Sequence, residues 1–396
     1  MRAIFEPTPL QRNAYLSERF NADIWLKRED LSPVRSYKIR GAFNAMRRQE
    51  GQSQFAAASA GNHAQGVAYM CRQMGVHGTI FMPVTTPGQK IEKTRVFGGD
   101  YVSIRMVGDF FDDTLLAAQA FCQDSGAHFL SPFDDADVIE GQASVAVELL
   151  EQGDAPDLLV VPVGGGGLAA GTTAYLRAVG APTQIRYVEP AGGASLTAAL
   201  EAGAPTRLAQ VDSFVDGAAV AQIGARPFEI LRQTPVNHVL RAPEDRLCVT
   251  ISRLLNIDGL VLEPAGALAI DVLRDLPFEI EGKRVVCVTS GGNFDFERLP
   301  EVKERAMRYQ GLKKYFILRM PQRPGALKDF LGTLGPDDDI ARFEYLKKSA
   351  RNFGSVLIGI ETTEPSAFAA LERRMERLGF EHRDITDDPV LAEFLI

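Results

Sequence analysis

From residue 20 to about residue 300, short runs of apolar and β-branched residues alternate with longer stretches whose apolar positions recur at helical spacing. Thr79 to Val84, Tyr101 to Val107, Leu158 to Val163, Ile185 to Glu189 and Val285 to Thr289 read as strands, and the amphipathic stretches between them as helices. Strands joined through helices run parallel, so the pattern predicts βαβ units and a mostly parallel, open α/β sheet. Several strands run straight into glycine: Val163 into Gly164 to Gly167, Ser290 into Gly291 and Gly292, and Ser59 and Ala60 into Gly61. Ligands of open α/β sheets collect at such carboxyl ends.

The pattern changes after Leu299. A charged helix, about Pro300 to Tyr309, leads to Gly311. A strand (Tyr315 to Met320), a helix (Ala326 to Leu334), two strands (Ala341 to Lys347 and Ser355 to Thr362), a helix (Pro365 to Leu378) and a strand (Glu381 to Thr386) then follow. This βαββαβ order is the ferredoxin-like arrangement. Phe368, Leu371, Met375 and Leu378 give the second helix one apolar face to lay on a sheet, with Glu372, Arg373, Arg374, Glu376 and Arg377 largely on the other side. The expected division is an α/β domain over residues 1–311 and an α+β domain over residues 312–396. The second carries no cluster of catalytic side-chain types, so binding or assembly is its expected role.

Composition narrows the function classes. The chain has 396 residues, 45% hydrophobic and 24% charged, which is enough for two or three folded domains with little disorder. A net charge of -8 argues against nucleic acid and anionic membrane surfaces as partners. Cys71, Cys122, Cys248 and Cys287 form no C-x-x-C pair and have no histidine at metal-ligand spacing, so no metal site is expected, and reduced thiols fit a cytoplasm. Met1 to Leu10 contains Glu6 and two prolines where a signal peptide needs an unbroken apolar run. Leu158 to Leu176 is free of charge for about the length of a spanning helix, but its Pro162 and five glycines make it a strand, turn and helix.

Three segments carry candidate chemistry. Val163-Gly164-Gly165-Gly166-Gly167-Leu168 sits between strand and helix, where unclaimed backbone N–H groups form an anion site suited to phosphate. The same residues admit a dinucleotide reading, because Gly165, Gly167 and Ala170 satisfy G-x-G-x-x-A and Glu189 ends the next strand. A purely structural glycine turn is a third possibility. In Ser36-Tyr37-Lys38-Ile39-Arg40-Gly41-Ala42, Lys38 is either a solvated surface lysine or a Schiff-base lysine whose pKa is lowered by burial. Ser59-Ala60-Gly61-Asn62-His63 precedes a helix and offers amides and a hydroxyl for a carboxylate, although the segment could equally be a capped helix start, and a histidine such as His63 is more often a satisfied core residue than a base.

Taken in order, S-Y-K-I-R-G-A, S-A-G-N-H-A-Q-G, G-G-G-G-L, E-P-A-G-A and S-G-G-N resemble the fold-type II family of pyridoxal-phosphate enzymes, and within it the threonine dehydratases. The resemblance covers nearly the whole chain and implies a catalytic core of two open parallel-sheet subdomains followed by an ACT-like regulatory domain. It implies that Lys38 holds pyridoxal 5'-phosphate as a Schiff base and acts as general base. Asn62 would contact the ring oxygen, Gly164 to Leu168 the phosphate, and Ser290 the pyridine nitrogen. Ser59, Ala60, Gly61, Asn62 and His63 would receive the substrate carboxylate. The implied reaction eliminates water from L-threonine to give 2-oxobutanoate and ammonia, with L-serine giving pyruvate.

Serine racemases are similar but use a serine as a second acid at the position held here by Ala60, which disfavours racemisation. Arg323-Pro324-Gly325-Ala326-Leu327 and Arg342 to Lys347 resemble the regulatory domain of biosynthetic dehydratases, implying isoleucine as effector in a homodimer or homotetramer. Many of those enzymes carry two such domains, and this chain has room for one. Glu263 is expected either near the cofactor or as a helix cap, and Glu189 as a possible cation ligand.

Overall fold

A computed structural model describes residues 1–346 and 352–388 of the chain. It divides into two compact units, Met1–Asp295 and Phe296–Ile396. In the first unit the larger sheet has the spatial order Leu10–Arg12, Asp23–Arg28, Arg284–Thr289, Leu158–Pro162, Gln184–Pro190 and Val239–Ala242. All neighbours are parallel except the short first strand, which pairs antiparallel with the second. Leu158–Pro162 is buried along its whole length, as a strand covered on both faces must be, and this explains its unbroken apolar run. The smaller sheet, ordered Val102–Met106, His77–Met82, Gln54–Ala58 and His128–Phe129, is parallel throughout. Each sheet has its own core, one built on Val161, Leu168 and Val286, the other on Phe55, Val67 and Ile80.

The helix Ala136–Glu151 joins the two sheets, and glycines let it come close on both sides. A Cβ on Gly141 would lie 2.5 Å from the Arg40 carbonyl oxygen of the Lys38–Arg48 helix. A Cβ on Gly171 of the Gly167–Ala178 helix would lie 2.3 Å from the Ile139 carbonyl oxygen. Two of the three helices that begin at candidate-site residues, those at Lys38 and Gly167, therefore pack on one common support.

That support carries a buried charge cluster. The Arg40 guanidinium, fully buried, donates to both oxygens of Glu29 at 2.7 and 2.9 Å and to both oxygens of Glu148 at 2.6 and 2.7 Å. Lys27 Nζ adds a bond to Glu148 at 2.7 Å and one to the Thr8 carbonyl at 2.6 Å. Burial alone would push the Glu148 carboxyl up, but its bonds to Arg40 and Lys27 hold it below the ordinary range.

The second unit has an antiparallel sheet in the order Asp339–Leu346, Phe353–Glu361, Lys313–Pro321 and Glu381–Asp384. With helices Ala326–Leu331 and Ser366–Arg377 this is the expected βαββαβ arrangement. Phe368, Leu371 and Met375 enter its core beside Phe316 and Ile358, whereas Leu378, counted on the same face in the sequence, lies past the helix end and is exposed. Lys347 lies outside the described residues. Glu304, on the helix Leu299–Tyr309, accepts from Lys313 and from the Tyr315 hydroxyl at 2.8 Å. The second unit therefore begins at Phe296, before this helix and close to the change of pattern after Leu299, whereas the expected division lay after Gly311.

Candidate active site

Two turns of the first unit lie back to back. Ser36 bridges Gly291, Tyr37 N–H donates to the Ser290 carbonyl at 3.2 Å, and Gly292 N–H donates to the Arg35 carbonyl at 2.9 Å. Arg35 holds φ 56°, a left-handed conformation that a non-glycine residue keeps only where its surroundings fix it. Its Nε donates to the Gly292 carbonyl at 3.1 Å. These contacts bring Lys38 and Ser290 to one place although more than half the chain separates them. Ser290 is buried, and its hydroxyl donates to the Ala265 carbonyl at 3.1 Å.

Lys38 opens its helix, and its amine donates to the Pro132 carbonyl at 2.7 Å. The rings of Tyr37 and Phe133 stand 5.4 and 5.9 Å from the nitrogen. Burial lowers its pKa to about 8, against the opposing attraction of Glu263. A lysine in such a setting keeps a useful neutral fraction and is a nucleophile and base, unlike a solvated one.

The glycine loop reaches the same place through Phe133. A Cβ on Gly165 would lie 2.2 Å from the Phe133 ring, and one on Gly164 would lie 2.8 Å from Ala218 Cα. Gly166 adopts φ 89°, which side chains other than glycine rarely tolerate. The helix beginning at Gly167 and Leu168 has no side-chain cap, so its first N–H groups remain for an anion. The Asn62–Met74 helix likewise starts from Gly61 without a side-chain cap, beside Ala60 and the Ser59 hydroxyl, which accepts from Gly61 N–H at 3.2 Å. Gly66 brings that helix onto the Lys38 backbone, since a Cβ there would lie 3.2 Å from Ile39 N.

Asn62 donates from Nδ2 to Glu263 Oε1 at 2.6 Å. Glu263 precedes the Pro264–Asp271 helix but does not cap it with its side chain. Burial first, then Asp216, push its carboxyl up to about 7, against the Asn62 bond and the nearby Lys90 and Lys93. Of the two roles open to Glu263 in the sequence, the geometry favours the one beside Asn62. The backbone is tight here: Gly266 has room for no Cβ, which would meet the Gly291 carbonyl oxygen at 2.0 Å.

Two candidates turn elsewhere. His63 is buried, its ring Nε2 is 2.9 Å from the Leu130 carbonyl, and burial, then Lys38, lower its pKa to about 3, so it is a neutral core histidine. Glu189 spends both oxygens on the start of a helix, accepting from Leu196 N–H, Thr197 N–H at 3.0 Å and the Thr197 hydroxyl at 2.8 Å. A ribose-binding role would need that carboxylate free. Among the described residues no group of three or more His, Cys, Asp and Glu is placed to hold a metal ion. Motif reasoning assigned no role to Phe133, Lys93 or Asn293; only Asn293 stood inside a motif already quoted.

An amine of lowered pKa, a glycine loop with free N–H groups, a second uncapped helix start and a buried hydroxyl together fit a phosphate-bearing aldehyde and an amino acid. Comparison with known proteins agrees. Residues 2–291 match the family described as pyridoxal-phosphate dependent enzyme, and residues 304–395 match the C-terminal regulatory domain of threonine dehydratase. The chain is 46% identical over 394 residues to the L-threonine dehydratase biosynthetic IlvA of Bacillus subtilis (strain 168), covering 98% of this chain and 93% of that protein. It is 44% identical to the protein of the same description from Halalkalibacterium halodurans, covering 98% and 95%. Among solved structures, the processed form of threonine deaminase isoform 2 from Solanum lycopersicum aligns with TM-score 0.72 and 35% identity, over 77% of this chain and 89% of that one.

Proposed function

Because the chain belongs to the pyridoxal-phosphate-dependent enzymes, and among them to the threonine dehydratases with a C-terminal regulatory domain, we propose that it deaminates L-threonine to 2-oxobutanoate and ammonia. The observation that carries this reading is the Lys38 amine, half-buried and of lowered pKa, set against Phe133 and the Gly164–Gly167 loop. Pyridoxal phosphate supplies an electron-withdrawing ring that makes the Cα proton of a joined amino acid acidic and lets a β-hydroxyl leave.

This chain's residues do the rest. Lys38 would hold the cofactor at rest and, as an amine of lowered pKa beside the substrate, would take the Cα proton. The N–H groups of Gly164 to Leu168 hold the phosphate by backbone dipoles alone. Ser59 and the amides opening the Asn62 helix receive the substrate carboxylate, and Asn62 faces the ring oxygen. Ser290 would stand at the ring nitrogen, where a hydroxyl, unlike a carboxylate, supplies no negative charge to hold a proton. Ala60 would offer no side-chain acid to return a proton, which disfavours racemisation. L-Serine follows the same path to pyruvate. A panel of L-threonine and L-serine, scored by 2-oxo acid release, tests the substrate range; turnover of neither refutes the reading.

Ser290→Asp is expected to retain the cofactor, shown by its visible absorbance, and to lose elimination activity by roughly 100-fold or more, as when an electrostatic partner in a dry site is changed. Unchanged kinetics would show that Ser290 does not face the ring nitrogen.

The second unit is proposed to bind isoleucine in a homodimer or homotetramer, supported by its match to the regulatory domain and its lack of catalytic clusters. Feedback requires isoleucine to bind one conformational state better than another, with a coupling of about 1 to 3 kcal/mol. Calorimetry on the full chain should show saturable isoleucine binding and a matching change in threonine kinetics; no binding heat and no kinetic change would remove this part. The chain is read as cytoplasmic, and among the described residues no helix is long and apolar enough to cross a membrane.

A further inference from the structure

Asn62 stands in a line of hydrogen bonds that begins at a cation and ends at a carboxyl. Lys93, on the helix Gly88–Gly98, donates from Nζ to Oδ1 of Asn293. Asn293 donates from Nδ2 to the Val34 carbonyl at 2.9 Å and to Asn62 Oδ1 at 2.6 Å. Asn62 in turn donates from Nδ2 to Glu263 Oε1 at 2.6 Å. The four side chains come from both sides of the first unit. Lys93 and Asn62 lie on helices that follow strands of the smaller sheet, while Glu263 and Asn293 flank the stretch containing Arg284–Thr289 of the larger one.

The direction of this line is not free. An ammonium has only donors and a backbone carbonyl only acceptors. Lys93 therefore demands the oxygen of the Asn293 amide, and the Val34 carbonyl demands its nitrogen; the two constraints agree. So oriented, Asn293 has only a donor to offer Asn62. The Asn62 oxygen is thereby committed to Asn293 and its nitrogen turns away. One N–H of that nitrogen reaches Glu263, and the second remains.

We propose that Asn293, held in this orientation by Lys93 and the Val34 carbonyl, is a positioning residue that makes Asn62 present a donor, not an acceptor, to the ring oxygen of the cofactor. The inference rests on the reading above that the pyridoxal ring lies against Asn62. An amide turned the other way would set a carbonyl oxygen against an oxygen that carries negative charge when the cofactor is bound. The chemistry gains from the first arrangement, since a donor to a charged oxygen is worth about twice a neutral bond.

The test uses the full chain loaded with pyridoxal phosphate and compares wild type with Asn293→Asp and Lys93→Met. An aspartate cannot donate to Asn62, so the amide must turn; Lys93→Met removes the cation from a part-exposed position and is expected to leave the fold undisturbed. Titration with pyridoxal phosphate, read by absorbance, should show Asn293→Asp binding roughly 10- to 100-fold more weakly, the range for losing a hydrogen bond to a charged group. The absorbance maximum of its bound fraction should also move. Lys93→Met should shift both readouts in the same direction by less, with its melting midpoint unchanged. Wild-type affinity and wild-type spectrum in both variants would overturn the proposal. So would weaker binding with an unmoved maximum, which marks a merely structural role. Should Asn293→Asp not fold, Lys93→Met decides alone by the same criteria. A wild-type chain that develops no visible absorbance with pyridoxal phosphate would instead refute the cofactor reading on which the inference rests.

Discussion

Lys38→Ala is expected to lower 2-oxobutanoate release from L-threonine by more than about 10⁴-fold, beyond the 10²- to 10⁴-fold that loss of a general base alone costs. The excess follows from the two tasks assigned to one nitrogen. In the proposed mechanism it would both anchor the cofactor covalently and take the Cα proton of the substrate. Its surroundings are built for both: burial brings the pKa down to about 8, the Pro132 carbonyl aims the amine at 2.7 Å, and the rings of Tyr37 and Phe133 flank it. Alanine leaves the space without the group. Two further readouts separate this from simple unfolding. The variant should keep its melting midpoint and lose the wild-type visible absorbance with pyridoxal phosphate. A small primary amine added to the assay should restore part of the proton-transfer rate. Turnover within tenfold of wild type would exclude Lys38 from both tasks.

The second large effect is on stability. Arg40→Met is expected to destabilise the first unit by about 3 to 5 kcal/mol, the cost of removing one partner from a buried ion cluster. Glu29 and Glu148 are both buried, and Arg40 satisfies two oxygens on each. Methionine fills much of the volume, so the loss reports uncompensated charge and not a cavity. The apparent melting midpoint should fall by roughly 6 to 20 °C, at about 2 to 4 °C per kcal/mol for a unit of this size class. Adding Glu29→Gln should recover part of the loss. The effect reaches the site because Arg40 lies on the helix that Lys38 opens. A midpoint within 2 °C of wild type would show that the cluster does not hold this helix in place.

Much of the fold was legible because local periodicity reports it. The apolar run Leu158 to Val163 announced a strand of the parallel sheet, and the order of elements from Tyr315 onward announced the βαββαβ unit. The glycine loop was legible as an anion site for the same reason: strand, glycines and helix start are consecutive in the chain. It was not decisive, since Glu189 kept a dinucleotide reading open until its oxygens proved to be spent on the helix at Ser195. The roles of Lys38, Asn62 and Ser290 came from motif resemblance and not from spacing.

What the sequence could not show is the pairing of distant polar groups. Asn62 meets Glu263, Lys93 meets Asn293 and Arg40 meets Glu148 only after the sheets have brought them together. No local period encodes such a partnership. Leu378 failed for a different reason: helical spacing places it on the apolar face, but the helix stops one residue earlier, at Arg377, and the side chain is left exposed.

Incubating the full chain, loaded with pyridoxal phosphate, with L-threonine and measuring 2-oxobutanoate and ammonia together decides whether the chain deaminates threonine. Both products are expected to accumulate in equal amounts, at a rate that saturates with threonine and vanishes in Lys38→Ala. Release of neither product, or release that persists unchanged in Lys38→Ala, would contradict the proposed function.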